Sequence, residues 1–301
     1  MPSMKILLIA GGWSSEREVS LTGARGMQEA LLKRGHAVTF FDLLENFDEL
    51  LETARQHDFA LINLHGSPGE DGLVQAMLEK AGCPYQGSGP SGSFLALNKA
   101  AAKQIFRMAG LPTADWEFLP VRPAEGWEPR LPWPLFVKST TGGSSLRLGR
   151  ATNRQELDAL MDEIFAAGEG VLIEPQLPGK EITCGILGEE AMPPILIEPV
   201  AGDYFDYESK YASGGARELC PAPVSPAVTA EVQRLALGLK GYSRADFILG
   251  PDDSLHLLEV NTLPGMTPTS LVPQEAAQLG MDFGQLLEKL IELGMEQHAK
   301  A

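Results

Sequence analysis

The sequence predicts a parallel α/β layer over its first ninety residues, joined to an α+β region, and three observations carry that prediction. First, the apolar segments KILLIA (5–10), HAVTFFDL (36–43) and FALINLH (59–65) alternate with helical patterns over 16–34, over 47–56 and from near Asp71. That rhythm belongs to a parallel sheet covered by helices, with ligands at the carboxyl ends of its strands. Second, apolar segments crowd together after residue 134, as PLFVK (134–138), VLIEPQL (171–177), KEITCGILG (180–188) and PPILIEPV (193–200). Such closely spaced strands are expected of an α+β region. Third, two short strands around Asp246 and Glu259 flank the turn residues Gly250-Pro251-Asp252-Asp253.

Composition bounds the functional classes. With 301 residues, 44% of them hydrophobic and 21% charged, the chain can bury a large core and divide into two or three domains. No apolar run approaches the roughly 18 residues needed to cross a bilayer. The run Ile6–Ala10 is too short for a secretory signal and leads into glycine, so it reads as a first strand and a cytoplasmic location is expected. The three cysteines, Cys83, Cys184 and Cys220, show no paired spacing and read as ordinary buried thiols. Lys plus Arg (24) against Asp plus Glu (40) leaves a net charge of −16, which opposes binding to nucleic acid and to anionic lipid. A polyanionic small substrate would need a local cluster of cations.

Along the first segment, Gly11-Gly12-Trp13-Ser14-Ser15-Glu16 follows the first strand, and Ser15 with Glu18 fits a capping box. Glu16 then stands in the first helical turn, where it either complements the helix dipole or faces a cleft and pairs with a ligand ammonium. His65-Gly66-Ser67-Pro68-Gly69-Glu70-Asp71-Gly72 ends the third strand. Its glycines permit close backbone approach, Asp71 can cap the following helix, and His65 is either a structural histidine or a site residue. The loop Gln86–Gly92 is the candidate boundary after this unit.

Residues 92–109 read as one helix carrying Lys99 and Lys103. Lys138 ends a strand before the loop Thr140-Thr141-Gly142-Gly143-Ser144-Ser145, a fixed cation beside adaptable backbone donors, although no GxxxxGK[ST] phosphate loop occurs. Lys99, Lys138 and Lys210 could together neutralise nucleotide phosphates, or each could be a solvated surface charge. A helix is expected over 153–167, and 201–223 reads as a long connection of the kind that serves as a lid.

Near 246–261 the chemistry is sharper. On a strand, Glu259 and Asn261 share one face while Leu258 and Val260 point to the other. If Asp246 lies on the neighbouring strand, three oxygen ligands converge, a set suited to Mg²⁺ bridging phosphates. The alternative is a surface hairpin with solvated acids.

Several ordered motifs extend across nearly the whole chain: GGWSSEREVSL (11–21), HGSPGEDG (65–72), PYQGSG (84–89), LNKAAAK (97–103), PLFVK with GSS (134–138, 143–145), IEPQLPGKEIT (173–183), FDYESKY (205–211), RADF (244–247) and EVNTLPGMTPTSLVP (259–273). In these the chain resembles the D-alanine–D-alanine ligases, enzymes of the ATP-grasp superfamily. The resemblance implies a three-domain architecture, α/β and α+β, divided as 1–90, 91–174 and 175–301, with the lid at 201–223.

It further implies that Lys99, Lys138 and Lys210 contact ATP phosphates, that the stretch Glu174, Gln176 and Leu177 meets the adenine, and that Glu181 holds the ribose. Asp246, Glu259 and Asn261 would bind two Mg²⁺ ions, with Mn²⁺ as the alternative ion. Glu16 would hold the first D-alanine's ammonium with His65 nearby. Arg244 and the backbone at Gly265 would stabilise an oxyanion, and Ser270 and Leu271 would receive the second carboxylate. Ser144 and Tyr211, with Glu16, would tie the lid to the first domain.

The implied reaction is ligation through an acyl phosphate, giving ADP and phosphate, for peptidoglycan precursors of the cell wall, with a homodimer as the implied assembly. Tyr211 argues against depsipeptide-forming relatives. The alternatives are an ATP-grasp ligase for other amino acids or dipeptides, and a nucleotide-binding protein without efficient catalysis. Four positions depart from the family's usual pattern: Ala76 where glycine is usual, Asn98 where aspartate is usual, Ser139 where proline is common, and Arg147 in Leu146-Arg147 where Val-Gly is typical. Arg147 is the most consequential, because a bulky cation in this loop could face either solvent or the phosphates.

Overall fold

The computed structural model describes residues 1–143, 147–200, 215–236 and 241–299. Three sheets organise them. The first has β1 (Lys5–Ala10) at its centre, flanked in parallel by β2 (Ala37–Asp42) and β3 (Phe59–Ile62). Because β1 is covered on both faces it is apolar from Ile6 to Ala10, as buried parallel strands are. Ile6, Leu8 and Ala10 pack into one cluster with Met27 and Leu31 of the helix Arg17–Lys33, and Leu7 and Ile9 pack on the opposite side with Leu50, Val74 and Leu78. The first cluster is completed from far along the chain, by Leu286, Leu287, Leu290 and Ile291 of the helix Phe283–Ala299. There Gly294 lets the helix press against the sheet: a Cβ at that position would stand 2.6 Å from the Phe59 ring and from the Tyr85 carbonyl oxygen.

The second sheet is antiparallel and contains β4 (Glu117–Leu119), β5 (Leu135–Ser139), β6 (Leu148–Ala151) and β7 (Val171–Pro175) in the order β4-β7-β5-β6. The helix Arg154–Ala166 covers it, burying Leu157, Met161 and Ile164 against Leu135, Val137, Val171 and Ile173. The third sheet has six strands: β8 (Lys180–Gly188), β9 (Glu190–Ala191), β10 (Ile195–Pro199), β11 (Ala216–Leu219), β12 (Gly241–Leu249) and β13 (Leu255–Asn261). Its order is β11-β10-β8-β12-β13, with β9 beside β8. The parallel first sheet and the antiparallel second and third sheets agree with the predicted α/β and α+β character.

Local expectations needed correction at four places. Ser15 and Glu18 form no capping box: Glu16 occupies the cap position of Arg17–Lys33 with no side-chain cap bond, and Ser14 Oγ instead accepts from the Glu16 amide at 3.2 Å. The helix expected over 47–56 is divided into Leu43–Asn46, a 3₁₀ turn Phe47–Glu49, and Leu50–Ala54, because Asp42 caps the chain earlier by accepting from the Leu44 amide. The helix expected over 92–109 is broken at Asn98 into Pro90–Leu97 and Lys99–Met108, since the Asn98 side chain accepts from the Ala101 amide and starts a second helix. Finally, the connection expected over 201–223 contains β11, which pairs antiparallel with β10 from Leu196↔Leu219 to Pro199↔Ala216. Of that connection, 201–214 lie outside the described residues.

Candidate active site

The hairpin β12–β13 positions the acids. Arg244 lies opposite Asn261 and Asp246 opposite Glu259, after which the register shifts so that Phe247 pairs with Leu257. Leu258 is the residue left over. This bulge corrects the simple alternation: Leu257 and Val260 enter the core, whereas Leu258 joins Glu259 and Asn261 along the cavity. Bulges re-aim side chains next to functional sites in this manner.

Each acid has a basic neighbour. Asp246 Oδ1 accepts from Arg244 Nε at 2.8 Å and from Thr183 Oγ1 at 2.5 Å, while Oδ2 accepts from Arg244 Nη2 at 2.8 Å and Asn261 Nδ2 at 3.0 Å. Glu259 Oε2 lies 3.1 Å from Lys99 Nζ, which also donates to the Gly142 carbonyl at 2.7 Å. Burial works against the charge on Arg244, but Asp246 and Glu259 outweigh it and hold the guanidinium firmly protonated. These acids are therefore not a solvated surface pair.

Opposite this hairpin stands a buried group of the other sign. Lys138 is the penultimate residue of β5, Glu174 lies on the neighbouring β7, and Lys103 reaches them from the helix Lys99–Met108. Glu174 Oε1 lies 2.5 Å from Lys103 Nζ and Oε2 is paired with Lys138, with the three residues only 0 to 7% exposed. Burial lowers the affinity of Lys103 for its proton more than Glu174 restores it. For Lys138 burial is outweighed by Glu174 and Glu259, which hold its ammonium above the ordinary value. Burial alone would raise Glu174, yet the two lysines keep it below the usual carboxylate range. Beyond the end of β7, Gln176 is oriented by Arg150, whose Nε donates to Gln176 Oε1 at 2.7 Å.

At the far end of the cavity, Glu16 is 7% exposed and faces the glycine-rich segment so closely that a Cβ on Gly143 would stand 2.8 Å from Glu16 Oε2. His65 is held below its ordinary value by burial and by Arg244, against the pull of Glu16, so its imidazole is neutral near pH 7. Glu70 is pushed up to about 8, by burial first and by the charge of Glu16 second, while Gly66 donates to its Oε2 at 2.7 Å. Ser270 stands at the amino-terminal cap of the helix Leu271–Gln278, bonded through Oγ to the Thr267 amide at 3.1 Å. Helix termini of this kind favour a carboxylate.

Every predicted site residue among the described ones lines a single cavity of about 1210 Å³. Ser144, Lys210 and Tyr211 lie outside the described residues. The sequence reading did not assign Lys103, Glu70, Thr183 or Glu275. Lys103 carried a usable signal, standing four residues after Lys99 and hence on the same helix face. Glu275 carried none: it is fully buried, accepts from the Gly185 amide at 2.9 Å and 3.0 Å, and is pushed up to about 8 by burial. Of the four departures, Asn98 keeps the capping function, Ala76 sits on an exposed helix face, and Arg147 is absent from the cavity lining and pairs with Glu169 at 3.0 Å.

A family model described as "D-ala D-ala ligase C-terminus" matches residues 104–292. A protein of Desulfovibrio desulfuricans named D-alanine–D-alanine ligase is 74% identical over 298 residues, covering 97% of both chains. The chain belongs to the D-alanine–D-alanine ligase family. Another such ligase, from Nitratidesulfovibrio vulgaris, is 63% identical over 97% of this chain and 98% of its own. Among solved structures, the D-alanine–D-alanine ligase of Bacillus anthracis complexed with ATP superposes with a TM-score of 0.87 at 32% identity, covering 99% of each chain. The Coxiella burnetii ligase gives a TM-score of 0.81 at 25% identity, covering all of this chain and 96% of its own. The ATP-grasp architecture expected from the motifs is thus that of the family.

Proposed function

We propose that this chain joins two D-alanine molecules into D-alanyl-D-alanine at the expense of ATP, through an acyl phosphate, to supply peptidoglycan precursors. The observation that carries this reading is the convergence, in one cavity, of Lys99, Lys138 and the hairpin acids with Glu16 at one end and the helix terminus at Ser270 beside them. A nucleotide and two zwitterions need that set: cations for phosphates, an acid for an ammonium, and free amides for a carboxylate.

Lys138 and Lys99 act on the phosphates, and Glu174 fixes where Lys138 points while keeping it charged. Gln176, Leu177 and Glu181 line the same cavity and would take the adenosine end. Glu16 pairs with the first ammonium and places that D-alanine's carboxylate beside the phosphates. The carboxylate oxygen attacks the γ-phosphorus, the bond to the β,γ-bridging oxygen breaks, and ADP leaves. The second D-alanine, held by its carboxylate at Ser270 and Leu271, then attacks the acyl carbon as an amine. Arg244, firmly cationic, stabilises the developing oxyanion together with the backbone at Gly265, and phosphate departs.

The donor set of the hairpin fits Mg²⁺: two carboxylates and an amide, hard oxygens that leave the remaining positions to phosphate oxygens. Asp246, Glu259 and Asn261 would hold two ions, or Mn²⁺ in their place, which would supply charge neutralisation where two anions meet. Asn261 donates its Nδ2 to Asp246, leaving its Oδ1 as an acceptor for a cation.

The division into 1–90, 91–174 and 175–301 is part of this reading, supported by the three separate sheets. Among the described residues no helix is long and apolar enough to cross a membrane; placement in the cytoplasm is carried over from the family resemblance. A homodimer is carried over from the family resemblance, and light scattering checks it. Phosphate release on mixing the protein with ATP, Mg²⁺ and D-alanine, with the dipeptide seen by mass, tests the function. Silence with D-alanine together with turnover of another amino-acid pair would replace the substrate assignment.

A further inference from the structure

We infer that Glu169, which lies outside the cavity, is a positioning residue for Lys99 and for the backbone of Thr140-Thr141-Gly142 beside the phosphates. The proposal rests on the reading of this cavity as an ATP site. Glu169 follows the helix Arg154–Ala166 and has its side chain 24% exposed. It grips both ends of the connection between β5 and β6. One carboxylate oxygen, Oε2, accepts from the Ser139 hydroxyl, and the other, Oε1, lies 3.0 Å from Arg147 Nη1. The two ends are also bonded directly, the Ser139 amide donating to the Arg147 carbonyl at 3.2 Å.

The contact continues inward. With its proton committed to Glu169, Ser139 Oγ can only accept, and it does so from the Thr141 amide at 3.3 Å and the Gly142 amide at 3.0 Å. The Gly142 carbonyl receives Lys99 Nζ at 2.7 Å, and Lys99 in turn lies 3.1 Å from Glu259 Oε2. A second strand of the same anchor runs beside it: Thr140 donates its amide to the Gly170 carbonyl at 3.0 Å and accepts from the Lys99 amide at 2.8 Å. The residue next to Glu169 thus holds the backbone that Lys99 caps.

A continuous series of polar contacts therefore runs from Glu169 through Ser139 and Gly142 to Lys99. Charge-assisted bonds to a carboxylate are the stronger kind, so the outer end of the series sets its register. This also gives the departures at 139 and 147 a shared role. A proline at 139 would have neither the hydroxyl nor the amide that the contacts use, and Arg147 places its charge on Glu169 rather than on the phosphates.

The test compares Glu169→Ala, Ser139→Ala, the double variant and Glu169→Gln in the full chain. The readouts are ATP affinity by calorimetry, steady-state KM values and thermal midpoint. Expected are a roughly fivefold to thirtyfold rise in Kd and KM for ATP in either alanine variant, with KM for D-alanine within about twofold. The double variant should be no worse than the worse single one, because both break the same series. Glu169→Gln, which keeps an acceptor for Ser139, should recover part of the loss. Unchanged ATP affinity in Glu169→Ala would overturn the proposal. So would equal shifts for both substrates together with a lowered thermal midpoint, which mark a merely structural residue. Because ATP affinity is read without an amino acid, failure of the D-alanine assignment leaves it intact: the parent would bind ATP yet release no phosphate with D-alanine.

Discussion

The two charged walls of the cavity are built by opposite routes. The acidic wall comes from one hairpin, in which Asp246 and Glu259 are thirteen residues apart in sequence and directly opposite in register. The basic wall is assembled from a helix, two strands of another sheet and the acid between them, Lys103, Glu174 and Lys138. On the acidic wall the balancing cations, Arg244 and Lys99, stay partly open to the cavity, with side chains 17% and 12% exposed. On the basic wall the balancing anion is sealed, with its side chain 4% exposed. On the proposed reading, this difference fits acids that serve chiefly in ligand binding and a Glu174 that chiefly holds two like charges together.

That contrast can be broken in graded steps. The largest expected effect is on turnover: Glu259→Gln keeps the shape of the acidic wall but removes a charge, and should slow the reaction roughly a hundredfold or more while the fold survives. Full activity with an unchanged metal requirement would remove Glu259 from the site. On the basic wall the effect moves to stability. Glu174→Gln leaves two buried ammonium groups facing one another, and removing one partner from a buried charge group costs about 3–5 kcal/mol. Denaturant midpoints read this directly, and a loss no larger than that of a surface substitution would show that the lysines find other partners.

A pH profile sharpens the comparison further. Glu70 and Glu275 each have a folded value of about 8 against 4.5 in the unfolded chain. Between those values the folded protein binds protons that the unfolded chain has released. Stability therefore falls as pH rises from about 4.5 to about 8. Replacing both residues with glutamine should flatten the curve in that window; an unaltered slope would mean that neither carboxyl is protonated in the folded state. The smallest effect is local: Gly143→Ala should raise KM for D-alanine about tenfold through its approach to Glu16, with ATP affinity changed less. Equal changes for both substrates would separate Gly143 from the ammonium site.

Legibility in the sequence followed the same division. Asp246, Glu259 and Asn261 could be read because strand alternation and a short turn place them without outside information, and only the bulge at Leu258 escaped, since nothing in LLEVN marks it. The βα rhythm of the first ninety residues likewise gave three parallel strands, while two helix starts were misplaced where a single polar side chain decided them, at Asn98 and Asp42. The Lys–Glu–Lys group was not readable as a unit. Its members are brought together by pairing between β5 and β7 and by the docking of a helix, and charge alone cannot distinguish them from surface residues. Glu275 shows the same limit: a carboxylate in an ordinary amphipathic helix became a buried group only through its contact with Gly185.

The packing of the helix Phe283–Ala299 on β1 and β3 has a consequence for biosynthesis. On the ribosome, the sheet made from residues 5–62 emerges long before the side chains near 286–291 that cover one of its faces. Until those are translated, the part of that face left uncovered by the helix Arg17–Lys33 is apolar surface available to a chaperone or to a neighbouring nascent chain. Chains released early would be recognisable to proteolysis by this exposed part of the sheet, so completion of synthesis and full burial of the first sheet become a single quality-control event.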